Sequence, residues 1–141
     1  MRAAARIVGD DTVHVVKDAV ERLNRGMAAF DIALGIGALT TPRATLAVLG
    51  HDPPSADAEW LFRRCGPIWL TFAAAHLTAW RRGGERDWWA LAWLRATELA
   101  TDALWASSPA VSRPGAKAGL RLAGVGNLAM TLAFAWRARQ G

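Results

Sequence analysis

Arg95, Glu98 and Asp102 stand inside one otherwise apolar run, 87–107, DWWALAWLRATELATDALWAS. On a helix turning 100° per residue, the three fall within about a 60° arc, beside Trp88 and Leu91. Leu94, Leu99 and Leu104 point elsewhere. Glu98 and Asp102 are one turn apart, and Arg95 reaches Glu98. A carboxyl in an apolar setting can exchange a proton with a bound molecule, and a nearby guanidinium can orient that molecule. Three other apolar stretches each supply a matching polar point. Asp31 shares its face with Asn24, Gly35 and Ala38. His76 shares its face with Trp69, Phe72 and Trp80. Asn127 shares its face with Ala123 and Thr131. The expected catalytic set is therefore Glu98, Asp102, His76 and Asp31. Arg95, Asn127, Trp69, Trp93 and Trp105 are expected to bind substrate, the indoles by stabilising positive charge.

The same residues admit a purely structural use. Arg95 with Glu98 or Asp31 can be an ion pair that sets helix register, and Asn127 can join helices at about a kcal/mol. His76, Glu98 and Asp102 lack the paired His or Cys spacing of a metal site, so no metal and no cofactor is expected. Gly124-x-Gly126 follows no strand and is not a nucleotide loop. Gly115-x-x-x-Gly119 suits close helix packing.

The elements that must hold these residues read as helices of a membrane bundle. The chain has 141 residues, enough for one domain. It is 52% hydrophobic and 21% charged, with eight Trp, no Tyr and thirteen Gly, which suits close helix contacts and interfacial aromatics. Its net charge of +5 comes from Arg residues placed singly or in pairs at the ends of apolar runs. That is not the massed basic face of a nucleic-acid binder, so no nucleic-acid partner is expected. The single Cys65 excludes an internal disulfide. The first 25 residues hold Asp10, Asp11, Lys17, Asp18, Glu21 and Arg22, so they contain no signal-peptide core.

Residues 1–25 are expected to form a polar tail, 1–11, and an amphipathic helix, with 26–141 the membrane domain. The candidate spans are 26–49, interrupted by Pro42, then 60–80, 87–107 and 118–136. About 20 residues at ~1.5 Å rise cover a ~30 Å hydrocarbon core. Trp60, Trp80, Trp88, Trp89 and Trp105 at span ends read as interfacial belts. The expected fold is thus all-α, an integral membrane bundle of about four transmembrane helices. The competing reading is a soluble bundle, because each mid-helix charge costs about 2.5–3.5 kcal/mol on insertion. Basic residues at the N-terminal side, at 81–86 and at the C-terminus place both termini in the cytoplasm of a multi-pass cell-membrane protein. Arg63-x-x-Gly66 and Arg121-x-x-Gly124 open two spans that both end in Ala-Trp-Arg, an internal echo.

Arg25-Gly26, Gly35, Gly37, Pro42 and these Arg-x-x-Gly repeats resemble the DoxX-like group of small bacterial membrane proteins. The resemblance covers most of the chain from Arg25. It implies four helices and no particular activity.

Two functions remain open on this reading. One is association in the lipid bilayer, as a homo-oligomer or an accessory subunit of a membrane complex. The other is acid–base catalysis (isomerisation, cyclisation or hydration) on a lipophilic terpenoid, steroid or quinone-like small molecule. A roomy aromatic cavity beside Glu98 and Asp102 favours the enzyme. A collapsed, fully paired stripe favours a structural role.

Overall fold

Pro42 and Pro67 set the limits of the first helices. In the computed structural model, which describes residues 2–141 with side chains from residue 12 onward, the order is α1 Arg2–Thr40, α2 Pro42–Val48, α3 Ala56–Arg63, α4 Gly66–Arg82, α5 Glu85–Ser107 and α6 Pro114–Ala138. The described residues contain helices and no strands. The side chains of the expected polar tail, 1–11, lie outside the described residues.

A proline lacks the N–H that a helix interior needs, but fits the first helical turn. Pro42, Pro67 and Pro114 each occupy that place, opening α2, α4 and α6. The first expected span therefore divides at Thr41, as Pro42 foretold. The second expected span, 60–80, is corrected. The backbone leaves the helix at Arg64 and Cys65, whose N–H groups turn back to Leu61 and Phe62 at 3.1 and 2.9 Å. Pro67 is the reason. The helix that remains, α4, has only 17 residues. It ends at Gly83, whose φ of 65° is the left-handed cap that glycine adopts freely.

At the other end of the chain the expected amphipathic helix is not a separate element. α1 runs unbroken across residue 25 for 39 residues, about 58 Å at 1.5 Å per residue. Its buried positions, Val20, Asn24, Ala28, Asp31, Gly35 and Ala38, repeat every three or four residues, so one stripe faces the same neighbours along its length. α1 packs chiefly on α4, α4 on α5, α5 chiefly on α6, and α6 returns to α1. At Gly35 and Gly66 the α1 and α4 backbones touch. A Cβ on Gly35 would sit 3.0 Å from the Gly66 carbonyl oxygen, and one on Gly66 would sit 2.9 Å from that of Gly35.

Two apolar clusters bracket the middle of the molecule. At the end where α4 turns into α5, Val20, Ala79, Trp88, Leu91, Phe134 and Ala138 pack together, closed off by the Arg137–Glu21 ion pair at 3.2 Å. At the opposite end Ala38, Leu46 and Phe62 meet Trp69 and Trp105. There Asp52 ties two loops together: its carboxylate accepts from the Ser112 backbone N–H at 3.1 Å and from the Ser112 hydroxyl at 2.9 Å. Trp88 and Trp105 thus belong to the interior rather than to belts, whereas Trp60, Trp80 and Trp89 are exposed.

The outer surface has the opposite character from the middle. No exposed residue is charged between Arg25 and Arg43 on α1, between Arg64 and Arg81 on α4, from Trp88 to Ser107 on α5, or between Arg121 and Arg137 on α6. Large apolar side chains such as Ile36, Ile68, Leu104, Leu122 and Leu132 point outward in this band. α6 is long and apolar enough to cross a membrane, and only 22% of its most apolar window is buried. No other described helix passes that test of length and composition. α4 is too short, and α5 carries the charged stripe. The Arg-x-x-Gly echo has no structural counterpart: Arg63 ends α3 and Gly66 begins α4, while Arg121 and Gly124 lie within α6.

Candidate functional site

Between the two apolar clusters the helices turn polar groups toward one another. Asn24, Asp31, His76, Arg95, Asp102 and Asn127 are the buried polar residues. They come from all four long helices. They divide into a closed part and an open part.

The closed part is built on Arg95. Its Nη2 donates to Asp31 Oδ2 and, at 2.6 Å, to His76 Nε2. His76 Nε2 therefore accepts, which assigns its proton to Nδ1. From there it donates to Asn24 Oδ1 at 2.5 Å. Asn24 Nδ2 donates in turn to the His76 carbonyl at 3.0 Å. The side chains of this relay are at most 4% exposed. It links α1, α4 and α5 in one chain of bonds. Its geometry follows from the stripe: Asn24 and Asp31 are seven residues apart on α1 and bracket the imidazole from two turns. Phe134 covers the ring edge-on at 5.7 Å between centroids.

The open part lies one to two turns further along α5. Asn127 Nδ2 donates to Asp102 Oδ2 at 2.8 Å, joining α6 to α5. Glu98, half-buried, makes no hydrogen bond or ion pair among the described residues. Beside them is a cavity of about 280 Å³. Asp31, Arg95, Glu98, Asp102 and Asn127 line its polar side, and Phe30, Leu34, Trp69, Trp105 and Met130 its apolar side. Trp69 and Trp105 are held by Phe62, with ring centroids 5.4 and 6.4 Å from its own. Three buried polar atoms of this lining have no partner: Asp31 Oδ1, Asn127 Oδ1 and Arg95 Nε. A buried polar atom without a partner costs about 1–3 kcal/mol, and Trp88 Nε1 and Arg137 Nε and Nη1, outside this lining, share that condition.

Of the expected site residues, Asp31, Arg95, Glu98, Asp102, Asn127, Trp69 and Trp105 meet at the cavity. His76 stands behind it, bonded to Arg95 rather than lining it. Trp93 is corrected: it is 73% exposed on the outer face of α5. Its position was legible, since two residues from Arg95 is about 200° around the helix. Arg95 pairs with Asp31 on α1 rather than with Glu98 on its own helix. Sequence reasoning gave Asn24 no role beyond sharing the Asp31 face, although its place one heptad before Asp31 was the available signal. Gly115 and Gly119 pack on nothing within the chain. Among the described residues no group of three or more His, Cys, Asp or Glu gathers as a metal site requires. No protein-family model, no curated protein and no solved structure matches this chain.

Proposed function

We propose that this chain is a membrane-embedded protein that binds a small lipophilic molecule in a partly open cavity between its helices and performs acid–base chemistry on it. The observation that carries the reading is the cavity itself, with an unbonded carboxyl, Glu98, facing two indoles across about 280 Å³. Glu98 is the proton-exchanging group, because no hydrogen bond commits its oxygens. Asp102, held by Asn127 at 2.8 Å, anchors the polar end of the ligand. Trp69 and Trp105 receive the apolar body and any positive charge that develops on it. Arg95, Asp31 and His76 hold the wall in place. The volume lies near the lower edge of the ~300–1,000 Å³ of drug-sized sites. That favours a terpenoid-sized molecule over a complete steroid nucleus.

Membrane residence is supported by the inverted polarity: a charge-free outer band around charged interior groups. The band is 15 residues deep on each of α1, α4 and α6, about 22 Å at 1.5 Å per residue, with the exposed Arg25, Arg43, Arg64, Arg81 and Arg121 at its margins. A multi-pass arrangement with both termini on the cytoplasmic side, and the DoxX-like architecture, belong to this same proposal. Carbonate-washed membranes should retain the protein, and recovery as a soluble monodisperse species would overturn the membrane reading. For the cavity, the test is untargeted mass spectrometry of lipophiles co-purifying with the wild type and with Glu98→Gln, together with turnover or phenotype of both. Loss of function with unchanged melting supports the acid–base role; full function in Glu98→Gln refutes it.

A second reading, association with a like or unlike membrane partner, rests on a different face. An open groove of about 630 Å³ runs between Val48 and Gly50 and the Gly115–Gly119 side of α6, and Val48 there is 87% exposed. Cysteine crosslinking at Gly119 in native membranes tests it.

A further inference from the structure

The charged groups lining the cavity are unequal in sign. The inference below rests on the reading of this cavity as a ligand site and adds the chemistry of the ligand's polar end. Some inward donors are engaged: Arg95 Nη2 serves Asp31 and His76, and Asn127 Nδ2 serves Asp102. Asp31 Oδ1 and Asn127 Oδ1 have no partner, in residues 1% and 7% exposed. The Glu98 carboxyl is unbonded as well. Unbonded donors share the lining: Arg95 Nε and Nη1 and the indole N–H groups of Trp69 and Trp105 make no hydrogen bond among the described residues.

Charge, rather than the balance of donors and acceptors, is one-sided. Asp31, Glu98 and Asp102 line a cavity whose only basic side chain is Arg95. Asp31 already takes that guanidinium, which leaves Glu98 and Asp102 without a counter-ion. Buried charge of one sign is costly, and a partner of the opposite sign recovers much of that cost. The indoles of Trp69 and Trp105 turn a surface to the same space that attracts cations. A carboxylate or a phosphate would add charge of the sign already in excess.

We infer that the cavity selects a lipophilic amine, its protonated nitrogen donating to the Asp102 and Glu98 carboxyls while its hydrocarbon body rests on Trp69 and Trp105. The ammonium supplies the positive charge that Glu98 and Asp102 lack and N–H groups to donate to them. Neutral alcohols supply one donor and no charge. A quaternary ammonium supplies charge and no donor.

Four probes of one shape separate these contributions: 1-aminoadamantane, its N,N,N-trimethyl derivative, 1-adamantanol and adamantane-1-carboxylate. Binding is measured by calorimetry on the full chain in neutral-lipid nanodiscs at pH 7. The amine should bind about tenfold or more tightly than the alcohol, the trimethyl compound should fall between them, and the carboxylate should not bind; a charge-assisted bond of about 1.5–3 kcal/mol sets this scale. Asp102→Asn should weaken the amine about tenfold with little effect on the alcohol, at unchanged melting temperature. Glu98→Gln, should Asp102→Asn fail to fold, should also weaken the amine more than the alcohol. Trp93→Leu, on the outer face, should change neither. Failure of the amine to bind, or an alcohol or carboxylate binding as tightly, overturns the inference. If the alcohol binds and the amine does not, the cavity stands as a lipophile site and only the amine selectivity falls. If none of the four binds, both fall.

Discussion

The two halves of the buried stripe use the same residue types to opposite ends. Around Arg95, each charge meets a partner on another helix, and the relay from Asp31 through Arg95 and His76 to Asn24 is dry and continuous. Around Glu98, carboxyls outnumber partners and the helices stand apart over a cavity. Side-chain bulk accompanies the contrast. Near the relay, small residues such as Ala28 and Ala79 are buried and let helices approach. Near the cavity, Trp69 and Trp105 brace against Phe62. A polar group in the first setting is spent on structure; one in the second is free for a ligand. The stripe read along α5 alone shows no such division.

The sharpest way to break the comparison is at the hinge between the halves. Arg95→Ala removes the guanidinium that Asp31 and His76 share, and leaves a buried carboxylate without its counter-charge. We expect a loss of about 3–5 kcal/mol, the largest of any single change here, measured as detergent-solution melting or denaturant stability. Adding Asp31→Asn should restore a good part of that loss. If it restores none, the pair is not what holds the three helices together.

Asn24→Ala tests the closed half without altering its formal charge. It deprives His76 Nδ1–H of an acceptor and the His76 carbonyl of a donor. A cost of about 1–3 kcal/mol is expected. A change near zero would show that the relay ends at His76. Gly35→Ala belongs at a similar level, about 1–3 kcal/mol from overpacking, because its Cβ would meet backbone as well as Leu70.

Glu98→Gln should move stability least of the buried-stripe variants, by less than about 0.5 kcal/mol, because no bond is broken. Its effect should appear in ligand retention and function. A stability loss as large as that of Asn24→Ala would erase the distinction between the halves. Smallest of all, Trp93→Leu should change neither stability nor ligand binding, since it exchanges one outward apolar surface for another.

Much of this was readable along the chain. The convergence of Arg95 and Asp102 on one face of α5, and of Asn24, Asp31, Gly35 and Ala38 on one face of α1, follows from helical periodicity alone. So does the outward direction of Trp93, although its residue type suggested a binding role. Pro42 announced a break, and Pro67 announced another by the same chemistry; an apolar setting and a convenient length hid the second. The Trp belts were harder. Trp88 and Trp105 occur near helix ends, as belt residues do, but their arc on α5 is the buried one.

What the sequence by itself determined is the inventory of helices, their capped limits and the angular position of each polar group on its own helix. These depend on backbone sterics and a fixed 100° step. Partner choice and empty space were decided only in the tertiary structure. Arg95 lies a turn from Glu98 on α5 yet spends its charge on Asp31 from α1, because the close α1–α4–α5 packing brings that carboxylate, and the imidazole of His76, against the same nitrogen. The cavity lies where aromatic rings from three separate elements meet, a meeting that no single helix encodes.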